Sequence, residues 1–339
     1  MSRPRVARLA LVLAYVVHTG VLSSVVAQAP RGPEIAFSSG RAGGNEIYVM
    51  GPDGGGVRAL TQLRGRAFRP RWAPDGRKIV FSWGPLRDPG ERTIYVMRAD
   101  GTQATKLTRE RDTHDSSVTW SPDGRHIAFA SERPRVDGTH IYVMDADGRN
   151  VRRLTLDWPF EGAYSTSPSW SPNGAEIAFT SWGPRTGTAE VFAIRPHSRR
   201  VRQITNDGMW NRSARWSPDG RELILESSPN ARKQDTDIYV VDSDGRNRAR
   251  LVEHPHRDQS PAWSPDGSRV VFHRFFWVDS DVYVVDRGGG PARNLTRHPS
   301  RDWAGDWFDP AALAVSDVGK RLVPWGWLKA PVWRPRIHP

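Results

Sequence analysis

Six tryptophans stand at near-even intervals in this chain: Trp72, Trp120, Trp170, Trp216, Trp263 and Trp307, with gaps of 48, 50, 46, 47 and 44 residues. The first five open one recurring phrase. It reads W-A-P-D-G at 72–76, W-S-P-D-G at 120–124, 216–220 and 263–267, and W-S-P-N-G at 170–174; the sixth reads W-F-D-P at 307–310. A period in the forties, with one aromatic and one glycine turn per unit, predicts a β-propeller with one blade per repeat.

One unit shows the physics. Residues 117–120 read as a first strand ending on Trp120. Ser121-Pro122-Asp123-Gly124 make a tight turn, because Pro presets φ and Asp and Gly tolerate the left-handed region. His126–Phe129 follow as a second strand, a looser loop spans 132–139, and Ile141–Met144 is a β-branched and aromatic third strand. Asp145-Ala146-Asp147-Gly148 turn the chain into a short fourth strand, 152–155. Second strands recur at 35–37, 79–81, 127–129, 177–179, 223–225 and 270–272, so each strand type has six members. The first repeat, 34–61, lacks the Trp strand, and the last, 302–308, is a Trp strand alone. The expectation is an all-β, six-bladed propeller of four-stranded blades. Its ring would be closed by the C-terminal strand joining the N-terminal three, which removes the exposed edges of an open sheet.

The W-S-P-D-G turns, the I-A-F strands, the I-Y-V-M-D-x-D-G segment at 141–148 and the L-T endings resemble the TolB-type six-bladed propeller family over about residues 34–309. TolB itself carries an α/β domain before its propeller. The stretch before residue 34 has no room for one, so the chain is expected to be a propeller without it. Dipeptidyl-peptidase-like enzymes append an α/β-hydrolase domain to a propeller, and no G-x-S-x-G nucleophile elbow is read here.

The ends carry other signals. Arg3, Arg5 and Arg8 precede an apolar run from Leu9 to Val17, and Val25-Val26-Ala27 offers small residues for cleavage before Gln28, so 1–27 reads as a signal peptide. The run is short for a bilayer span, so no transmembrane segment is expected after cleavage. Residues 28–33 form a short linker, 34–309 the propeller, and 310–339 a basic, aromatic tail packed on it, with Trp325, Trp327 and Trp333. The expected location is periplasmic or extracellular, with peripheral association with the envelope possible. The formal charge of +12 falls to +9 without the three leader arginines. Arg residues are spread through every repeat beside many Asp, so no nucleic-acid partner is expected. The absence of Cys excludes a disulfide framework, a thiolate nucleophile and Cys-ligated zinc.

Propeller geometry puts the uniform P-D-G and D-G turns on one face and the longer, dissimilar connections on the other. Variable loops on a rigid scaffold are where binding concentrates. Counting six residues back from each Trp reaches Arg66, His114, Tyr164, Trp210, Arg257 and Arg301. Counting five back reaches Ala67, Asp115, Ser165, Asn211, Asp258 and Asp302. Read as loops, these form a mixed ring at the funnel mouth, and its candidate ligand contacts are Arg66, His114, Asp115, Tyr164, Trp210, Asn211, Arg257, Asp258, Arg301 and Asp302. Arg forks suit carboxylates or phosphates, and aromatic rings stack on sugars or peptide side chains. The alternative is that pairs such as Arg257–Asp258 and Arg301–Asp302 only tie neighbouring blades. Trp83, Trp182, Phe275, Phe276 and Trp277 are expected on the same rim, for ligand contact or for packing between blades.

Two weaker patterns complete the reading. Asp145–Gly148 and Asp242–Gly245 faintly resemble calcium loops but lack the distal Glu, so they read as turns. His254, His256 and His298 have no carboxylate-rich third partner for a metal. No catalytic residues, metal or cofactor are read. The expected function is an exported, non-catalytic propeller that binds a protein, peptide or glycan. The alternative is a hydrolase or lyase acting on an acidic polysaccharide, with His114, Asp115, Asp258 and the neighbouring Arg residues supplying general base, acid and carboxylate recognition.

Overall fold

In the computed structural model the described residues are 28–316, apart from 88–90, 110–112, 156–162, 184–186 and 230–234. The leader at 1–27 and the tail beyond 316 lie outside them. The fold is all-β, with one short helix among the described residues.

The strands come in sets. β1 (Glu34–Ser39), β2 (Glu46–Met50) and β3 (Arg58–Ala59) open the chain. The second set is β4 (Gly65–Trp72), β5 (Lys78–Pro85), β6 (Thr93–Arg98) and β7 (Thr105–Lys106). The third is β8 (His114–Trp120), β9 (His126–Glu132), β10 (Thr139–Asp145) and β11 (Arg152–Arg153). The fourth is β12 (Tyr164–Trp170), β13 (Ile177–Trp182), β14 (Glu190–Ile194) and β15 (Val201–Gln203). The fifth is β16 (Trp210–Trp216), β17 (Glu222–Ser228), β18 (Asp237–Asp242) and β19 (Ala249–Val252). The sixth is β20 (Arg257–Trp263), β21 (Arg269–Phe276), β22 (Asp279–Asp286) and β23 (Arg293–Asn294). β24 (Asp302–Phe308) and α1 (Pro310–Ser316) follow. Strands within a set pair antiparallel in chain order, and β24 pairs with β1, with Trp307 opposite Ile35. The repeated four-stranded antiparallel set is the blade of a β-propeller.

Both faces of each sheet are buried, which is why the second and third strands read as unbroken apolar runs rather than alternating ones. Each hydrophobic cluster joins two neighbouring sets. One holds Val80, Ile94 and Leu107 against Trp120, Phe129 and Met144; another holds Ile35, Met50 and Trp307 against Val271, Val284 and Leu295. Phe37, Phe81, Phe129, Phe179 and Phe272 are fully buried, each facing an aromatic ring across the strand pair at 5.7–5.9 Å. Such a pair adds about 0.5–1.5 kcal/mol beyond its buried area.

Side chains complete the short fourth strands. The Thr that ends five of the fourth-strand segments accepts a hydrogen bond from a third-strand amide: Ile47 to Thr61, Ile94 to Thr108, Ile141 to Thr155, Val191 to Thr205 and Val282 to Thr296, at 2.9–3.1 Å. The hydroxyl replaces a backbone carbonyl, so two ladder residues suffice. In the W-S-P-D-G turn, the Ser121 hydroxyl accepts from His126 N and Asp123 Oδ1 accepts from Arg125 N. Gly124 sits at φ 68° in the same turn.

Candidate functional site

The strands opened by the Trp count begin earlier than the sequence suggests. β8 starts at His114 rather than near Ser117, so the ten candidate residues lie in or directly before strands rather than in loops. The cause is a bulge three residues before each of the first five tryptophans. Arg69, Ser117, Ser167, Ser213 and Ser260 all sit in the left-handed region at φ 51–54°. Pairing with the second strand shifts register there, as between Ser116 and Thr119. A bulge breaks the alternation and re-aims a side chain, so the alternating pattern breaks off where the strand continues.

The residues six before each Trp sit at seams between sets. Arg66 bridges Asn45 in parallel, His114 bridges Arg92, Tyr164 bridges Thr139, Trp210 bridges Ala189 and Arg301 bridges Ser280. In the remaining seam, beside Arg257, the Asp258 amide donates to Thr236 O at 2.7 Å. The residues one step deeper are fully buried and tied within the protein. Asp258 takes a bidentate pair of hydrogen bonds from Arg274 at 2.7 and 2.9 Å, not from Arg257. Asp302 pairs with Arg41 at 2.7 Å, not with Arg301. Asp115 accepts from Ser131, Asn211 accepts from Ser227, and Ser165 shares a bond with Ser181. Strand alternation turns these side chains into the sheets. The Asp115, Asn211, Asp258 and Asp302 side chains thus each have partners within the protein.

Burial pushes Asp258 up to about 6 against the opposing pull of Arg274, and it raises Asp115 and Asp302 as well. Burial and the Arg92 guanidinium lower His114. Asp115 and Asp258 are engaged with Ser131 and Arg274 rather than with His114.

Below the mouth lies a cluster that the sequence reading did not single out. Arg69 Nη1 donates to Ser117 Oγ at 3.0 Å and to Ser167 Oγ at 3.4 Å, reaching two other sets. Arg212 pairs with Glu226 at 3.1 Å, and Arg215 with Asp306 at 3.6 Å. Arg71 donates to the carbonyls of Pro70 and Gly305. The available signal was a column: three residues before the Trp, four sets carry Ser and one carries Arg69.

Burial drives Asp306 up to about 6, lowers Arg215 to about 10 and holds His273 down at about 4. A carboxyl raised on folding stabilises below its unfolded pKa and loses that contribution as pH rises through about 6. His273 runs the other way, since a lowered imidazole loses its contribution as pH falls from about 6.5 towards 4. The two oppose each other in wild type, so Asp306→Asn is the informative comparison. Wild type is expected to lose about 2–3 kcal/mol of stability relative to Asp306→Asn between pH 4 and pH 7. Denaturant titrations at each pH measure it, and a flat difference would contradict the assignment.

The aromatic rim divides. Trp83 packs on Tyr95 at 5.6 Å. Trp182 stacks on Tyr164 at 5.5 Å and meets Trp210 at 5.7 Å. Phe276 packs on His256, and Phe275 lies under Arg301. Trp277 is different, being 63% exposed beside Val278 at 78%. The two form the whole hairpin turn between Phe276 and Asp279. Trp277 takes φ 61° at the first turn position, where glycine is usual. Val278 and Arg301 also border a cleft of about 510 Å³ with Arg66, Phe68 and Trp303.

The weaker patterns resolve locally. Asp147 Oδ1 accepts from Arg149 N, and Asp145 Oδ2 from Asn150, so this Asp-Gly segment is a turn. His254 Nδ1 accepts from His256 N, and His298 Nδ1 from Ser300 N.

A family model described as the TolB beta propeller domain matches residues 28–157 and 134–234. The chain is 31% identical over 153 residues to a protein named as a TolB homolog in Chlorobium luteolum, a stretch that is 34% of either chain. It is 38% identical over 112 residues to the Tol-Pal system protein TolB of Anaeromyxobacter dehalogenans, covering 33% of this chain and 24% of that one. The chain thus spans about a third or less of the length of these relatives. The crystal structure of TolB from Acinetobacter baumannii matches with a TM-score of 0.67 at 20% identity, over 81% of this chain and 66% of that one. At that identity the likeness is one of fold. The tryptophan phrase, the repeated strand order and the family match agree: this chain belongs to the TolB beta-propeller domain family.

Proposed function

We propose that this chain is an exported, six-bladed propeller that binds a protein partner in the cell envelope through the face with the variable loops. Six blades closed by β24 are supported by its pairing with β1 and by the hydrophobic cluster shared between the first and sixth sets. Export rests on the basic and apolar pattern at 1–27. A protein partner is supported by the relatives, one of which is named for the Tol-Pal system.

The observation that carries the reading is the Trp277-Val278 turn. A bulky residue in the left-handed region costs about 1–3 kcal/mol, which Asn or Gly would avoid. An exposed, strained tryptophan beside a cleft is poorly explained by stability and well explained by contact, since tryptophan and arginine dominate interface energetics. The mouth is also basic. Arg66, Arg257 and Arg301 have no carboxylate within ion-pair distance among the described residues, while the acids one step deeper are already tied. The partner surface is therefore acidic with an apolar centre.

Placing a photo-crosslinking residue at Trp277 in intact cells should yield one dominant protein adduct, lost on Arg66→Glu/Arg301→Glu. With that adduct as the partner, Trp277→Ala is expected to weaken binding at least tenfold by calorimetry, with the melting temperature unchanged or slightly raised. Unchanged affinity would refute this face.

A further inference from the structure

We infer that the axis of the propeller holds a small monatomic anion of the halide class, bound by Arg69. The charges inside the channel do not balance. Arg212 is matched by Glu226 and Arg215 by Asp306. Among the described residues, no carboxylate oxygen lies within 4.0 Å of the Arg69 or Arg71 guanidinium, and neither takes part in any of the ion pairs of this region. Two partly buried guanidinium groups therefore lack an ion-pair partner of their own, which is costly for a charge drawn out of water. Burial weakens the hold of Arg69 on its proton, and Glu226 offsets this only in part.

The wall chemistry selects the sign of the occupant. Arg69, Arg71 and Arg215, with Ser117, Ser167 and Ser213, line a small cavity on the axis. The serine hydroxyls at 117 and 167 accept from Arg69, which leaves each O–H proton free to be donated elsewhere. The lining is thus rich in donors: guanidinium N–H groups and hydroxyl protons. A water needs acceptors for its own two protons, whereas an anion needs only donors.

Size selects the class. The cavity volume is about 10 Å³, about one water-sized sphere. Chloride or bromide, each somewhat larger than a water, fits this partly open cavity as a single occupant, and a polyatomic anion is a poorer match. The bulge supplies the geometry, because it is the left-handed turn at Arg69, Ser117, Ser167 and Ser213 that brings these side chains to one level.

The test uses the full mature chain. Thermal unfolding is measured at constant ionic strength with chloride exchanged for gluconate, which cannot enter, and crystals grown in bromide are examined by anomalous scattering. The expected result is a melting temperature that rises with the logarithm of chloride concentration, with a bromide peak within hydrogen-bond reach of Arg69 Nη1. Arg69→Gln should abolish the chloride dependence. If that variant does not fold, Ser117→Ala/Ser167→Ala should weaken the dependence while leaving the guanidinium in place. Equal melting in chloride and gluconate, bromide confined to the surface, or an unchanged chloride dependence in the variant that folds would each overturn the assignment. The outcome does not depend on whether a protein partner binds the mouth.

Discussion

Asp258→Ala is expected to destabilise the protein by about 3–5 kcal/mol, while Arg257→Ala next to it changes stability by less than about 0.5 kcal/mol. The difference comes from what each side chain touches. Asp258 is fully buried and holds Arg274, itself 8% exposed at the side chain, through two charge-assisted hydrogen bonds. Removing the carboxylate strands a guanidinium among Phe272 and Tyr283, over whose rings it lies at 5.7 and 4.7 Å. The cation–π contacts do not replace the lost charge partner. Removing both partners, in Asp258→Ala/Arg274→Leu, should recover part of the loss, because the penalty belongs to the unpaired charge rather than to the missing bond. Urea denaturation with a double-mutant cycle measures all three variants. A loss below about 1 kcal/mol for Asp258→Ala would show that its carboxylate is free to serve a ligand. The elevated pKa of about 6 points the same way: ionising Asp258 in place is costly even with Arg274 beside it.

Trp307→Ala should cost a similar amount, about 3–5 kcal/mol, with a second consequence that an interior tryptophan would not share. Trp307 is 6% exposed and packs with Ile35, Met50, Val284 and Leu295, with Arg269 over its ring at 4.7 Å. It anchors the strand whose partner, β1, lies at the other end of the chain. Loosening β24 frees the edge of β1, and a free edge is a template for pairing with another molecule. Trp170→Ala removes a ring of the same kind from a set built of consecutive strands and should lower the melting temperature without association. The expected contrast is concentration-dependent aggregation on warming for Trp307→Ala only, read by calorimetry with light scattering. Matching behaviour of the two variants would remove the special role of the terminal strand.

How far the residues spoke for themselves differs between scaffold and site. The Trp phrase, the I-A-F strands and the L-T endings repeat because every set faces the same demand, two buried faces and two tight turns. Repeated demands leave repeated letters. Even the half-repeats at each end were legible, and Trp307 pairs with Ile35 as their complementarity implied. The funnel was harder. Asp258 and Asp302 each follow an arginine in sequence, which suggested adjacent pairs. Neighbours on a strand point to opposite faces, so each aspartate pairs instead with an arginine elsewhere, Arg274 or Arg41. The bulge was invisible because Ser117, Ser167, Ser213 and Ser260 carry no glycine signal at their left-handed positions.

The sequence by itself determined the repeat, the four-strand order within each repeat and the turns that separate the strands, since all of these are set by residues close along the chain. Only the tertiary structure decided which charges meet. Arg69 is drawn to Ser117 and Ser167 from sets 48 and 98 residues away, and Arg215 to Asp306 across the channel. Those distances depend on how similar sheets pack against one another, and no local pattern of residues encodes that packing.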